Sequence, residues 1–454
     1  MAAFDRAPAR VRDNQLHLLS PGRVDQLARA GGLEFRNTAL TPGRTLQLFA
    51  RQVAHGNVAC SAVRHLAGED FTDSAWCQAR KRLPIEFMRR VHRLVVDEAR
   101  RGTDRDGQTF RWRGHRVYIV DGTNDSMPDT PELRGHYGVP AGCRDGLGFP
   151  TSHLLMLVDH ASGLVIDCVD SPLNTSDLSK TPPLHAHLSA GDILLADVAF
   201  SGWAHLALIL QANLHAVMPV HHRRLVDFTL GRGHAHPRKG KSSRRGGKPR
   251  SRIVRTLGKD DHVVEYFKPV EKPAWMSDEQ WSSLPGSILV REIRRTVKRH
   301  GFRPIQITMV TTMLDAEEYP ADELVELRLT RWMVETNFRH LKITLGMDVL
   351  KCKTLEGVRK ERWMFLLVYN LIRIAMLKAA QSQNQKPNRL SFADALAWLR
   401  HANLNEVPNL LVNPLRPGRL EPRAIKRQKK EFPYMTRPRS ELKAQLRAQH
   451  GDTA

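Results

Sequence analysis

Apolar residues recur at helical spacing through the first hundred positions, as in Leu46, Phe49 and Val53 and again in Val91, Leu94 and Val95. This predicts a helical N-terminal region. Thr72, Asp73 and Ser74 offer caps for a short helix over 75–83 that Pro84 closes. From about residue 116 the period changes to that of strands, with Val-, Ile- and Leu-rich runs at 116–121, 151–159, 164–169, 192–197 and 214–219. Residues 159–163 read as a hairpin turn, and 181–188 and 202–211 as helices. The order β-β-β-α-β-α-β predicts a mixed sheet covered by helices. The runs ending at Asp121 and Asp197 are nearly continuous, as expected for strands buried on both faces.

Residues 222–255 are dense in Arg, Lys, His, Gly and Ser and predict a flexible basic loop. Short strands over 263–267, 288–291 and 305–311, with Trp275 and Trp281 between them, make this region a β-rich insertion. One long helix is predicted over 320–345, a largely apolar one over 356–381 and a third over 391–401. The Arg-, Lys- and Pro-rich tail from Pro414 has few apolar residues to bury. The chain therefore divides into 1–110, a helical DNA-binding region; 111–220, the first part of a catalytic core; 221–312, the basic insertion; 313–382, the rest of the core; and 383–454, a C-terminal helix and basic tail.

The chain has 454 residues, enough for such a multi-part architecture. Charge sharpens the picture. The formal net charge is +23, which opposes a compact fold unless a polyanion is near and points to nucleic acid. The apolar stretch at 363–369 is interrupted by Asn370 and Arg373 and falls short of the ~20 residues a bilayer needs, so no membrane partner is expected. The five cysteines are scattered without a C-x-x-C pair, against a zinc site or a disulfide framework. With no apolar leader after the N-terminal charges, the expected location is the cytoplasm, at the nucleoid.

Two buried strands that finish on carboxylates carry the chemistry. Hard divalent cations prefer oxygen ligands. Adjacent parallel strands ending in Asp121 and Asp197, with Glu335 from a helix, would hold two magnesium ions, with manganese as a substitute. Such a pair, about 3.5–4 Å apart, suits in-line phosphoryl transfer. Arg328, Arg331, Glu335 and Lys342 fall on one helical face, so Arg331 and Lys342 would reach flanking phosphates. Taken alone, Arg331 and Glu335 are an ordinary i,i+4 pair worth ~0.3–0.5 kcal/mol; the two strand-end aspartates give them more meaning. The 75–83 helix carries Gln78, Arg80, Lys81 and Arg82, either a phosphate-gripping face or a solvated one. Asp125 and Asp129 read as turn formers. Asp159, Asp167 and Asp170 read as turn or strand-end acids without a basic helix partner, and Asp192 as a turn cap. The histidines, including His153, His221 and His222, lack metal-ligand spacing.

Taken together, three segments resemble the DDE transposases of bacterial insertion sequences, in the branch called insertion-sequence family four. They are Val120-Asp121-Gly122-Thr123 through Met127-Pro128-Asp129-Thr130-Pro131-Glu132, Leu195-Ala196-Asp197 through Phe200, and Arg331-Trp332-Met333-Val334-Glu335-Thr336-Asn337 through Leu341-Lys342. Residues 346–350 and 421–427 extend the resemblance. It implies a ribonuclease H-like core with a β insertion before the glutamate, and Asp121, Asp197 and Glu335 as the metal-binding triad. It also implies a homodimer that cuts double-stranded DNA at transposon inverted-repeat ends and joins the 3′ hydroxyl to target DNA. Arg331 and Lys342 match the signature Y-x2-R-x3-E-x6-K, whose tyrosine is replaced here by Arg328; Val198 stands where the family often has arginine. A tryptophan of the insertion, Trp275 or Trp281, would stabilise a flipped base in branches that pass through a hairpin intermediate. The competing expectations are an inactive or repurposed DNA-binding descendant of a transposase, and a nuclease of the same fold without strand transfer.

Overall fold

The structure, a computed structural model, describes residues 19–68, 70–105, 111–143, 146–221, 223–237, 247–298, 304–401, 408–413 and 437–450. Five helices come first: α1 (Pro21–Ala30), α2 (Pro42–Ala54), α3 (Cys60–Ala67), α4 (Asp73–Arg82) and α5 (Ile85–Arg105). Thr72 caps α4 as its sequence predicts, its hydroxyl accepting from the Ala75 amide at 3.1 Å.

Nine strands then form one sheet: β1 (Val117–Ser126), β2 (Thr151–Asp159), β3 (Val165–Pro172), β4 (Ile193–Leu195), β5 (His215–Pro219), β6 (Ser251–Gly258), β7 (Asp261–Phe267), β8 (Ser287–Val297) and β9 (Ile305–Thr311). Their order is β3-β2-β1-β4-β5-β9-β8-β7-β6. β1, β4 and β5 run parallel, and every other pairing is antiparallel. The expected mixed sheet with flanking helices and a β-rich insertion is present. The insertion joins the main sheet directly, because β9 pairs with β5 and extends it. Part of β6 lies where the sequence predicted a flexible loop; residues 238–246 of that loop are outside the described residues.

The sheet is flanked by α6 (Pro131–Tyr137), the short α7 (Asp177–Lys180) and α8 (Pro182–His185), α9 (Trp203–Gln211) and α10 (Asp278–Ser283), then by α11 (Ala321–Leu329), α12 (Met333–Arg339), α13 (Leu355–Ser382), α14 (Phe392–His401) and α15 (Arg439–His450). Among the described residues α13 alone is long and apolar enough to cross a membrane, and it is the central buried helix of the core, packed by α2, α5 and α14. Its buried polar residues are engaged. Asn370 accepts from the Val165 amide at 2.9 Å and donates to the Val165 carbonyl at 2.8 Å and to His92 at 2.9 Å. Arg373 donates to the Ser162 carbonyl from Nε at 2.8 Å. That carbonyl belongs to the predicted hairpin turn, where Gly163 has φ +71° and a Cβ would collide with the Arg373 guanidinium.

Several acids are placed differently from expectation. Asp125 is no turn former: β1 continues through it, and its buried carboxylate takes Nε and Nη2 of Arg362 at 2.9 and 3.0 Å. Asp170, expected to lack a basic helix partner, faces Arg359 at 3.0 Å and Arg362 at 3.5 Å, both from α13. Asp167 pairs with His187 at 2.6 Å, and Asp129 with Arg134 at 2.7 Å. Asp125 is read from a Ser-, Pro- and Thr-rich segment and Asp167 and Asp170 from their strand ends, and neither local sign shows the basic partners that α5 and α13 supply. Asp159 and Asp192 do close turns, accepting from the Ser162 and Ser189 amides at 2.7 and 2.8 Å.

Candidate active site

Register sets the first two carboxylates side by side. The parallel pairing of β1 with β4 matches Val117 to Ile193 and Ile119 to Leu195. Asp121 and Asp197 each lie two residues beyond the last pair of that ladder, near enough for the charge of one to act on the carboxyl of the other. β4 stops at Leu195 and the chain turns into a short 3-10 helix at Val198–Phe200. Asp121 lies mid-strand in β1, opposite Met156 of β2, rather than at its end. Both aspartates therefore stand just beyond the parallel ladder of β1 with β4.

The Asp121 carboxylate accepts the Gly122 amide at 2.9 Å and Nη1 of Arg331 at 2.6 Å. Burial pushes its carboxyl above the usual range; the Arg331 charge and the Gly122 amide oppose this, and the neighbouring Asp197 carboxylate adds to it.

The predicted single helix over 320–345 is continuous but irregular. A 3-10 turn at Thr330–Trp332 separates α11 from α12, and a π turn at His340–Thr344 comes next. Each irregularity shifts the angular phase of the residues beyond it, so the four positions do not keep the one-face arrangement of an ideal helix. Arg331 is turned inward to Asp121, with Nη2 3.8 Å from Glu335. Glu335 is half exposed. Arg328 is half-buried; burial lowers its guanidinium below its ordinary value, the nearby Arg331 charge adds to this, and Asp197 opposes it. Its buried Nε has no hydrogen-bond partner among the described residues. Asp121, Asp197, Arg328 and Arg331 thus come together, with Glu335 attached through Arg331. Lys342 sits half-buried in the π turn, and no hydrogen bond or ion pair joins it to the carboxylates among the described residues.

The α4 residues diverge. Lys81 is exposed. Arg80 faces inward, its guanidinium 3.8 Å over the Phe49 ring and 3.4 Å from Gln52 Oε1 and from Cys352 Sγ. Trp281 packs edge-on against Trp203, centroids 5.6 Å apart, with the Lys268 ammonium 4.5 Å above it; Trp275 is half-buried against the core. The basic tail segment at 423–430 is outside the described residues. Sequence reading missed Trp332, which is 60% exposed between Arg331 and Glu335. Its outward neighbours at helical spacing are Thr336, Arg339 and Ile343. A large aromatic next to the signature arginine was the available signal.

Hard divalent ions need oxygen donors, and three carboxylates form such a set. Among the described residues no three His, Cys, Asp or Glu side chains are gathered closely enough to hold a metal ion. Instead, Arg331 supplies the positive charge between Asp121 and Glu335. The side chains are oxygen donors of the kind a divalent ion takes, but the three expected ligands are not gathered around one point among the described residues.

The sequence profile of the family described as "Transposase DDE domain" matches residues 112–371, a span that holds Asp121, Asp197 and Glu335. The chain is 25% identical over 386 residues to the transposase InsG for insertion sequence element IS4 of Escherichia coli (strain K12), covering 79% of this chain and 78% of that protein. It is 26% identical over 155 residues to the putative transposase InsZ of the same organism, covering 32% and 49%. Among solved structures, a piggyBac transposase synaptic complex with hairpin DNA aligns with a TM-score of 0.41 at 10% identity, covering 86% of this chain and 80% of that one.

Proposed function

The chain belongs to the family of DDE transposases, and on that premise we propose that it cleaves double-stranded DNA at transposon inverted-repeat ends and transfers the freed 3′ hydroxyl into target DNA, as a homodimer on paired ends. The family acts with divalent metal ions; here the ions are two magnesium, replaceable by manganese, held by Asp121, Asp197 and Glu335. The observation that supports the reading is that the β1–β4 ladder ends two residues before both Asp121 and Asp197, with Arg331 bound to Asp121 and 3.8 Å from Glu335.

Each side chain has a definable task. Asp121 and Asp197, raised on neighbouring strands, bind cations at a fixed spacing. Glu335, half exposed on its helix, is free to swing toward them. Arg331 neutralises Asp121 in the resting protein and, once it yields that carboxylate, lies within reach of the scissile phosphate for a charge-assisted hydrogen bond. Arg328, in place of the signature tyrosine, offers a second guanidinium whose Nε is unused among the described residues. Lys342, Lys81 and the basic segments at 223–255 and 423–430 grip flanking phosphates, and the protein works in the cytoplasm at the nucleoid. When bound, divalent ions activate the attacking water or hydroxyl and stabilise the leaving oxygen.

The test is cleavage of an end-bearing duplex with magnesium, followed by detection of joined products. Cleavage lost in Asp197→Ala supports the site, and cleavage that survives it removes this assignment. Tight DNA binding without cleavage by the unaltered chain would favour an inactive descendant. Cutting without joining would favour a nuclease. With about eight phosphates neutralised per protomer, the log-log salt slope is expected near −7, and a flat response would refute the phosphate-gripping role.

A further inference from the structure

The edge of the sheet opposite the carboxylates carries a concentrated positive charge. A cavity of about 460 Å³ opens there. Arg100 and Arg101 from the end of α5, and Arg111 and Arg116 from the segment leading into β1, line it together with Asp97, Ser189 and Asp192. Four guanidiniums thus face Asp97 and Asp192, with Glu98 paired to Arg101 beside them. Asp192 is buried and turned to the Ser189 amide at 2.8 Å. Burial raises its carboxyl above the usual range, and the Ser189 amide and the Arg100, Arg116 and Arg111 charges oppose this. Asp97 is exposed. Arg101 makes an exposed i,i+3 pair with Glu98 at 3.0 Å, and Arg111 donates to the Gly114 carbonyl at 3.1 Å and lies near enough to Asp192 for its charge to act on that carboxyl.

We propose that this cavity is a second DNA-backbone site, which takes phosphodiester groups of a duplex other than the one at Asp121 and Asp197. Guanidinium forks match phosphate oxygens in pairs, and the cavity has a polar mouth rather than an apolar one. Its place sets it apart from the carboxylates along the same two strands. Arg116 and Asp192 immediately precede β1 and β4, whereas Asp121 lies midway along β1 and Asp197 two residues beyond β4. From Arg116 to Asp121 the strand advances about 16 Å through the buried sheet, and the two edges face opposite ways. A protein that joins two DNA segments needs a hold on each. The proposal rests on the transposase reading only for what occupies the carboxylate edge.

The test measures affinity for a duplex without transposon ends, in chelator, over a range of salt concentrations. The variant is Arg101→Ala with Arg111→Ala, both exposed and outside the core. The control is Arg36→Ala with Arg64→Ala, which removes the same charge from exposed positions away from the cavity. The salt slope is expected to shrink by about 2 in the cavity variant, at roughly 0.9 per phosphate contact, and by clearly less in the control. Equal shrinkage in both variants, or none in the cavity variant, overturns the proposal. So does displacement of the duplex by inorganic phosphate at an ionic strength where chloride has no effect, which would mark a free-phosphate site. Thermal midpoints of all variants report whether they fold. If the unaltered chain fails to cleave end-bearing DNA, the transposase reading falls while a cavity-specific slope change still stands.

Discussion

Replacing Asp125 by alanine removes the partner of a charge that has nowhere to go. Arg362 is 2% exposed and Asp125 fully buried, joined through two hydrogen bonds at 2.9 and 3.0 Å. Ser152 accepts a further Arg362 bond at 2.8 Å. Burial would lower the Arg362 guanidinium, but the Asp125 carboxylate outweighs that and holds it above its ordinary value. Breaking a buried pair from one side costs about 3–5 kcal/mol. The two sides are unequal. Without Asp125, Arg362 still has Asp170 at 3.5 Å, which places Asp125→Ala near the lower figure. Without Arg362, Asp125 keeps Ser152 and no cation among the described ion pairs, which places Arg362→Met near the upper one. At roughly 2 °C of midpoint per kcal/mol for a large domain, the thermal shifts should be about 6 and 10 °C. The double variant exposes no orphan charge and should be more stable than Arg362→Met alone. Thermal unfolding of all four proteins completes the cycle. Costs that simply add would show that the two residues are uncoupled and that Asp125 does not anchor β1 to α13.

Arg331→Ala should lower end cleavage by about 10²–10³-fold, the scale for removing one donor to developing charge; single-turnover cleavage at saturating DNA reads this. Trp332→Ala, which removes an exposed ring from the rim of the site, should weaken end-DNA affinity by about tenfold or more if a base stacks there, with no change in thermal midpoint. His92 accepts from Asn370 and is pushed down to about 4 by burial. Its folded value lies below the unfolded 6.5, so the unfolded chain binds the extra proton and stability should fall as pH drops from about 6.5 toward 4; His92→Gln should flatten that limb of a denaturation-versus-pH series. For Asp170, burial acts upward but is outweighed by Arg362, the Tyr137 hydroxyl and Arg359, so its carboxyl lies below the usual range. The stability it contributes is present above its unfolded value of 3.8 and is lost as pH falls through the lower folded value, and Asp170→Asn should blunt that acid loss.

The parts of the fold legible in the sequence are those written in local pattern. Continuous Val, Ile and Leu runs marked β1, β2, β4 and β5 because both faces of the sheet are covered, and Thr72 marked α4 because capping is local. The hidden parts depend on partners far along the chain. Asp125 and Asp170 looked like loop acids because Arg359 and Arg362 lie about two hundred residues away. β1 looked five residues shorter because Gly122 to Ser126 carry no apolar run, yet β2 pairs with them throughout. Arg80 looked like a surface cation because nothing near it in sequence announces Phe49 or Cys352 as its contacts.

The same distinction governs the site. Asp121 and Asp197 could be paired from sequence because strand register needs only the positions where two apolar runs begin and end. Glu335 could not be placed so well, since an ideal helix over 320–345 carries no sign of the 3-10 turn at Thr330–Trp332 or the π turn at His340–Thr344. Arg331 points inward to Asp121 and Glu335 is half exposed, so in the proposed site the third carboxylate is the one held least by its surroundings. A cation that draws Glu335 inward must also displace Arg331 from Asp121. The released guanidinium then becomes available to DNA at the moment the carboxylates are neutralised, so cation binding and phosphate binding should reinforce each other. Manganese affinity measured by electron spin resonance should therefore rise when an end-bearing duplex is present, and that rise should disappear in Arg331→Ala. An equal rise in the variant would show that Arg331 does not link the two.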